Sequence, residues 1–514
     1  MNNLAILYGG QLNHFADLAV FNGQSALEAA ITKMQSFPDV SKCIVLLSDD
    51  KNLKPLSHNI SIISKSVWTK KTLLECISKE GEGFDHTFFA WGDCPLLDPD
   101  ITSAVYKRHT QYAADYSYAD GWPYGLSPEI LRKGSAGILA KILGENDAAV
   151  DRDCIFSVLQ KDINSFDIET EISPVDLRAY RISLTADSKR NMLLLQSLID
   201  AGLSGTENAA KVIEGNAKSL RTLPAFYSVQ VSGSCPQECA MCPYPHFGKQ
   251  NGTSILERRD FMEVSQFETL LDKIIAFSGD AVIDLSLWGE IALHPKKIDL
   301  VQAVLNRPAL SLIIETAGIG WNEHDLETIA SLAAKAETRI NGQAPISWII
   351  SLDSDNPARY QEIRGAGFAE ARQTAERLYQ LFPKDTYVQA VRIKSYEDDL
   401  EQFYRKWKER GINIIVQKYD DFCESRESLQ ASDLSPIKRH PCWHLMRDVS
   451  ILIDGTVPLC KEVCTGEGSP LLGNVFTNSL ESIWDKGAEI YLAHTEGKYP
   501  KTCAVCDEYY TYNF

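Results

Sequence analysis

The sequence predicts a multidomain α/β protein: an N-terminal open α/β sheet, a central partial (β/α)6 barrel of TIM type, and a C-terminal cysteine-rich module. Three observations predict it. Short apolar runs alternate with helical patterns over roughly residues 1–200 and again over 223–420, as strands joined by helices do. The chain has 514 residues, too many for one hydrophobic core. Nine of its 13 cysteines lie after residue 230, mostly in clusters.

Bulk composition narrows the function classes. Hydrophobic residues make up 44% and charged residues 23%, an ordinary globular balance. The net charge of -18 disfavours duplex nucleic acid or an anionic membrane as the main partner, because like charges repel. Near the start, LAILYGG is short and runs into polar GQLNH, and no long apolar run follows. Neither a signal peptide nor a membrane span is expected, and the expected location is cytoplasmic. Clustered cysteines in that compartment suit metal or cluster ligation rather than disulfides. The scattered Cys43, Cys76, Cys94 and Cys154 read as small apolar side chains.

The elements follow in order. Residues 4–9, 43–48, 59–63 and 86–91 are strand-like. Ser25-x-x-Glu28 is a capping box opening the helical pattern between the first two. Asp98–Pro99 reads as an N-cap and first helical residue. The first domain spans 1–203, and a polar, helix-compatible linker spans 204–222. Six strands are expected at 226–232, 281–287, 310–316, 347–353, 386–394 and 412–418. Helices are expected between them near 263–278, 297–306, 323–336, 368–381 and 397–409. That alternation defines a barrel over 223–420. A polar linker with Pro436 and Pro441 covers 421–441, and a short cysteine-rich module, 442–514, needs a metal group to complete its fold.

Directly after the first barrel strand, SVQVSGSCPQECAMCPYP carries Cys235, Cys239 and Cys242. Three thiolates on one short loop can hold three irons of a four-iron cluster and leave the fourth open to a small molecule. With His246 four residues on, a zinc site of three cysteines and one histidine is also available.

Further elements sit at successive strand ends: Trp288-Gly289-Glu290 with His294–Pro295, then Thr316-Ala317-Gly318, then Ser351-Leu352-Asp353 with Arg364–Gly365. Together with the cysteine spacing they resemble the radical S-adenosylmethionine (radical SAM) enzymes, although Trp288 and Ile291 replace a glycine and a proline of the family's Gly-Gly-Glu-Pro element. The resemblance implies a [4Fe–4S] cluster on the three cysteines. It also implies S-adenosylmethionine contacts from Met241, Gly289, Glu290, Thr316, Ser351 and Arg364. Glu290 would accept from the amino group, Gly289 would allow close backbone approach, and Arg364 would pair with the carboxylate. Arg392, Lys394, Gln417 and Lys418 lie on the last two strands, and alternation puts Arg392 and Lys394 on one face.

The tail carries Cys442, Cys460, Cys464, Cys503 and Cys506, with the step Gly455-x4-Cys460, the turn Gly473-Asn474-Val475 and the segment Ser-Leu-x-x-Ile-Trp. It resembles the SPASM domain. That implies an auxiliary [4Fe–4S] cluster on Cys442, Cys460, Cys503 and Cys506, with Cys464 in reserve and Cys423 weaker. A four-cysteine zinc site is the alternative.

In the first domain WGDCPLLDPDITSAVYKRH, ADYSYADGWPYGLSPEIL and RISLTADSKRNMLLLQSLI resemble the nucleotide-sugar cytidylyltransferases. The resemblance implies a nucleotidyltransferase-like fold and Mg2+ on Asp93 and Asp187. The chain departs from that family in its first loop: AILYGGQLNHFADLAVFNG has no Arg or Lys to neutralise phosphates.

The order of the three parts resembles the spiro-SPASM group. It implies a radical SAM enzyme that uses a 5'-deoxyadenosyl radical on a peptide, protein or sugar-linked substrate, with a flavodoxin- or ferredoxin-type electron donor. The alternatives are a cytidylyltransferase-like protein with an accessory barrel, or a non-catalytic zinc-stabilised binding protein.

Overall fold

The structure is a computed structural model that describes residues 1–49, 60–145, 147–244, 260–463 and 470–510. It divides into two compact units, Met1–Thr222 and Leu223–Phe514.

The first unit is built on strands β1 (Asn3–Gly9), β2 (Val40–Ser48), β3 (Ile60–Lys65), β4 (His86–Trp91), β5 (Tyr116–Asp120), β6 (Glu129–Arg132) and β7 (Ile168–Ile172). Their order is β3-β2-β1-β4-β6-β5-β7. β1 pairs in parallel with β2 and β4, whereas β6 runs antiparallel to β4 and β5. The central β1 is buried at every position, which is why it reads as an unbroken apolar run. The Ser25–Glu28 capping box forms, with hydrogen bonds of 2.8 and 3.2 Å. Asp98 caps the helix Pro99–Gln111 by accepting from Asp100 and Ile101 N–H.

Residues 204–222, read as a linker, belong to this unit. Helix Thr206–Gly215 buries Ala209, Val212 and Ile213, a spacing that makes one apolar stripe. Thr206 N–H donates to Asp98.

The fully buried His109 contacts Ser117 Oγ at 2.8 Å and His86 Nδ1 at 3.0 Å. Burial, then the neighbouring His86 and Arg132, pull its imidazole down to about 3. A lowered folded-state value means the unfolded chain binds the extra proton. The stability is therefore complete above the ordinary histidine value and is lost as pH falls toward 3. At ~1.4 kcal/mol per pKa unit this is on the order of 3 kcal/mol between about pH 6.5 and about pH 4. The melting temperature of the first unit is expected to fall steeply across that window. His109→Asn should flatten the slope in circular-dichroism melts.

The second unit contains β8 (Phe226–Val229), β9 (Ala281–Asp284), β10 (Leu310–Thr316), β11 (Ile346–Ser351), β12 (Thr386–Arg392), β13 (Asn413–Lys418) and β14 (Asp448–Ile451). Adjacent strands of this sheet run parallel, in the order β13-β12-β11-β10-β9-β8-β14. The six expected strands thus pair in chain order, with helices such as Val264–Ser278 and Phe368–Leu381 between them. The seventh strand comes from the tail. Asp448–Ile451 registers against Phe226–Val229, so the tail extends this sheet rather than standing apart as a module. A two-stranded antiparallel ribbon of β15 (Thr456–Pro458) and β16 (Leu471–Asn474) completes the strands.

Residues 421–441 also differ from a free linker. Tyr419 Oη donates to Glu427 O, Lys394 N–H to Leu429 O, and Arg426 to Ala240 O. Among the described residues no helix is long and apolar enough to cross a membrane.

Candidate functional site

The loop of Cys235, Cys239 and Cys242 begins just beyond the carboxyl end of β8, and other segments hold its backbone. Glu290 N–H donates to Ser234 O at 2.8 Å, and Ala240 N–H to Ile363 O at 2.9 Å. Gln237 Nε2 donates to Tyr360 Oη at 2.8 Å and to Ala366 O at 3.1 Å. All three thiols are buried or half-buried. Burial pushes each up, Cys242 to about 12, with the neighbouring cysteines adding to the effect on Cys235 and Cys242. As free thiols they are protonated at neutral pH, so ligation must release their protons.

The sheet beneath explains why chemistry belongs here. On one face each strand carries an apolar residue and, two positions on, a polar one: Phe226 and Ser228, Val282 and Asp284, Ile313 and Glu315, Ile349 and Ser351, Tyr387 and Gln389, Ile415 and Gln417. The apolar set packs together as a floor. The polar set lines a cavity of about 590 Å³ whose roof holds the three cysteines. Glu315 accepts from Ser351 Oγ at 2.8 Å and from Gln389 Nε2 at 2.6 Å.

The structure brings every predicted cofactor-contact residue to this cavity: Met241, Gly289, Glu290, Thr316, Ser351 and Arg364. Several also have partners within the protein. Glu290 accepts from Thr316 Oγ1 (2.8 Å), Ala317 N–H (2.8 Å) and Ala292 N–H (3.1 Å), so it ties two strand-end loops together. Burial raises its carboxyl to about 7 against those bonds. Gly289 faces protein backbone: a Cβ there would lie 1.8 Å from Ser232 O. Its neighbour Trp288 has a left-handed backbone (φ 50), a strained conformation for a large residue.

The Arg364 guanidinium is salt-bridged to the buried Asp353, and Nη1 lies 3.7 Å from Cys239 Sγ. Asp353 Oδ1 in turn accepts from Val391 N–H at 2.7 Å. Asp353 closes the Ser-Leu-Asp strand end, and nothing beside it in sequence marks its partner, which lies 11 residues away. Of the residues singled out on the last two strands, Gln417 and Lys418 line the cavity. Arg392 instead pairs with Glu397 at 2.6 and 2.9 Å near the surface, and Lys394 is exposed. The expected shared face fails because β12 ends at Arg392 and Lys394 begins a 3-10 turn.

Cys442, Cys460, Cys503 and Cys506 gather in the tail, each within electrostatic reach of others in the set. Cys423 joins them. Its hydrogen bond with Cys506, then burial, holds its thiol up and lowers that of Cys506. Cys423, the weaker candidate in the sequence, lies outside the tail, 83 residues before Cys506. Cys464 and His246 lie outside the described residues.

A charged wall joins the two cysteine groups. Lys418, Asp420, Lys461 and Glu508 line the cavity, and Lys461 and Glu508 sit within two residues of Cys460 and Cys506. Burial pulls the Lys418 ammonium down, but Glu508 and Asp507 (2.8 Å) more than offset it and hold it protonated.

In the first unit Asp93 and Asp187 do converge, but on Arg152, which donates to both. The residues therefore do not fit the expected Mg2+ site: their oxygens already hold a cation.

Residues 442–507 match the SPASM family, an iron–sulfur cluster-binding domain, which bears out the resemblance of the tail to that domain. An uncharacterized protein of Treponema pallidum (strain Nichols) is 36% identical over 367 residues, 70% of this chain and 98% of its own length. Among solved structures, Streptococcus suis SuiB bound to precursor peptide SuiA is 14% identical, covering 54% of this chain and 69% of that one with a TM-score of 0.41. BtrN in complex with AdoMet and 2-DOIA is 17% identical, covering 56% and 94% with a TM-score of 0.36.

Proposed function

We propose that this chain, which belongs to one family with the Treponema pallidum protein and carries a SPASM iron–sulfur domain, is a radical SAM enzyme. One observation carries the reading. The three cysteines and all six residues assigned to the cofactor line a single cavity above the carboxyl ends of parallel strands.

Cys235, Cys239 and Cys242 would hold a [4Fe–4S] cluster with one iron open to S-adenosylmethionine. A cluster held there would supply an electron for reductive cleavage of the sulfonium, the source of a 5'-deoxyadenosyl radical. The chain's own residues do the rest. Arg364 opposes the cost of a buried thiolate at Cys239. Glu290 ties together the loops that would surround the cofactor, and the apolar layer below closes the floor of the cavity.

The polar layer suits a substrate rich in hydroxyl or amino donors, since Asp284 and Glu315 can only accept when ionised. A peptide side chain or a sugar-linked molecule meets that description. The electron donor would be a flavodoxin or ferredoxin. Cys442, Cys460, Cys503 and Cys506 would hold the auxiliary [4Fe–4S] cluster. Cys506→Ser is expected to lose that cluster's iron while Cys423→Ser keeps it, as measured by iron content of anaerobically reconstituted protein.

The test of the function is chromatographic detection of 5'-deoxyadenosine from S-adenosylmethionine and dithionite. Wild type should form it, and a variant with Cys235, Cys239 and Cys242 all changed to Ala should not. A fully iron-loaded wild type that forms none would sink the proposal.

A further inference from the structure

The crevice of the first unit already contains a cation of its own. Asp93 follows β4 and Asp187 precedes the helix Lys189–Asp200, so both carboxylates come to the carboxyl end of β1 and β4, where strand order reverses. In an open α/β sheet that is where a ligand crevice opens. Between them stands Arg152. Its guanidinium grips Asp93 with two nitrogens, at 2.8 Å to Oδ1 and 2.5 Å to Oδ2, and donates to Asp187 Oδ2 at 3.0 Å. The remaining Asp187 oxygen accepts from Asn191 Nδ2 at 2.7 Å.

Two rings fix the same group from its faces. The guanidinium carbon lies 4.3 Å from the centroid of Trp91 and 5.4 Å from that of Tyr124. A planar, delocalised cation stacks on aromatic faces while forking onto a carboxylate, which a compact divalent ion cannot do. Asp93 is 4% exposed, so a metal reaching it would have to expel the guanidinium from both carboxylates and both rings.

We infer that Arg152 is the resident cation of this crevice: the first unit holds its paired carboxylates with a guanidinium in the place of a divalent metal, and whatever the crevice binds, it binds without Mg2+.

A second set of contacts agrees. The loop after β1 is packed by aromatic side chains rather than opened for phosphates: a Cβ on Gly10 would lie 2.6 Å from Trp68 and 2.8 Å from Tyr8 Oη. Residues 5–23 contain no Lys or Arg. The cluster of Asp93, Asp187 and Arg152 itself carries two carboxylates against one guanidinium.

Manganese serves as the probe, followed by the electron paramagnetic resonance of free aqueous Mn2+ against full-length protein with oxidised, diamagnetic clusters. Wild type and Asp187→Asn are expected to bind Mn2+ equally, because the pair is closed. Arg152→Met keeps a stem against Trp91 and removes the charge; it should gain one Mn2+ site that Arg152→Met/Asp187→Asn loses. Wild-type binding that Asp187→Asn abolishes would overturn the inference. So would a folded Arg152→Met protein that binds no more Mn2+ than wild type. If Arg152→Met does not fold, the comparison of wild type with Asp187→Asn still decides, and the wild-type melting temperature must not move between EDTA and excess Mn2+.

Discussion

Gly289→Ala is expected to destabilise the second unit by about 3 kcal/mol or more and to strip iron from the Cys235–Cys242 loop. The added Cβ would meet Ser232 O at 1.8 Å and its carbonyl carbon at 2.8 Å. Both are backbone atoms, so no rotamer change relieves the overlap. The segment that must move is the one whose Ser234 carbonyl accepts from Glu290 N–H, at the base of the cysteine loop. Loss of iron and a lowered urea midpoint should therefore appear together. Alanine at Gly83, which also lacks a left-handed backbone and where a Cβ meets nothing within 4 Å, is the control for the general effect of the exchange.

Arg364→Met is the second large effect. It would leave Asp353, 3% exposed, as a buried carboxylate without its cation, which costs about 3–5 kcal/mol. Adding Asp353→Asn removes the orphaned charge, so the double variant should regain much of that loss in urea melts. An additive pair of penalties would show that the salt bridge is not the source. Cofactor binding separates a second role: if Arg364 also meets the carboxylate of S-adenosylmethionine, the double variant recovers stability without recovering affinity.

The strands were legible because parallel strands buried on both faces leave continuous apolar runs. β10 runs Leu310–Thr316, the expected bounds. The cysteine loop was legible because its three residues are neighbours in sequence, and their partners at the strand ends follow the rhythm of the fold. What escaped depends on distance along the chain. Arg152 meets Asp93 across 59 residues, and nothing in its own neighbourhood marks it as the occupant of a carboxylate pair. Cys423, only a weaker candidate by its place in a polar stretch, is the cysteine that meets Cys506. β14 is only four residues long and takes its partner from the start of the unit, so a periodicity argument confined to the tail misses it. The internal partners of Glu290 were hidden in the same way: two of its three donors lie 26 and 27 residues on.

The central claim is that the Cys235, Cys239 and Cys242 loop holds a cluster with an open iron. Electron paramagnetic resonance of anaerobically reconstituted, reduced protein tests it most directly, with and without S-adenosylmethionine and beside the triple alanine variant. The cofactor is expected to shift one signal, and the variant to lack that signal while keeping the auxiliary one. An iron-loaded wild type in which no signal responds to the cofactor would contradict it.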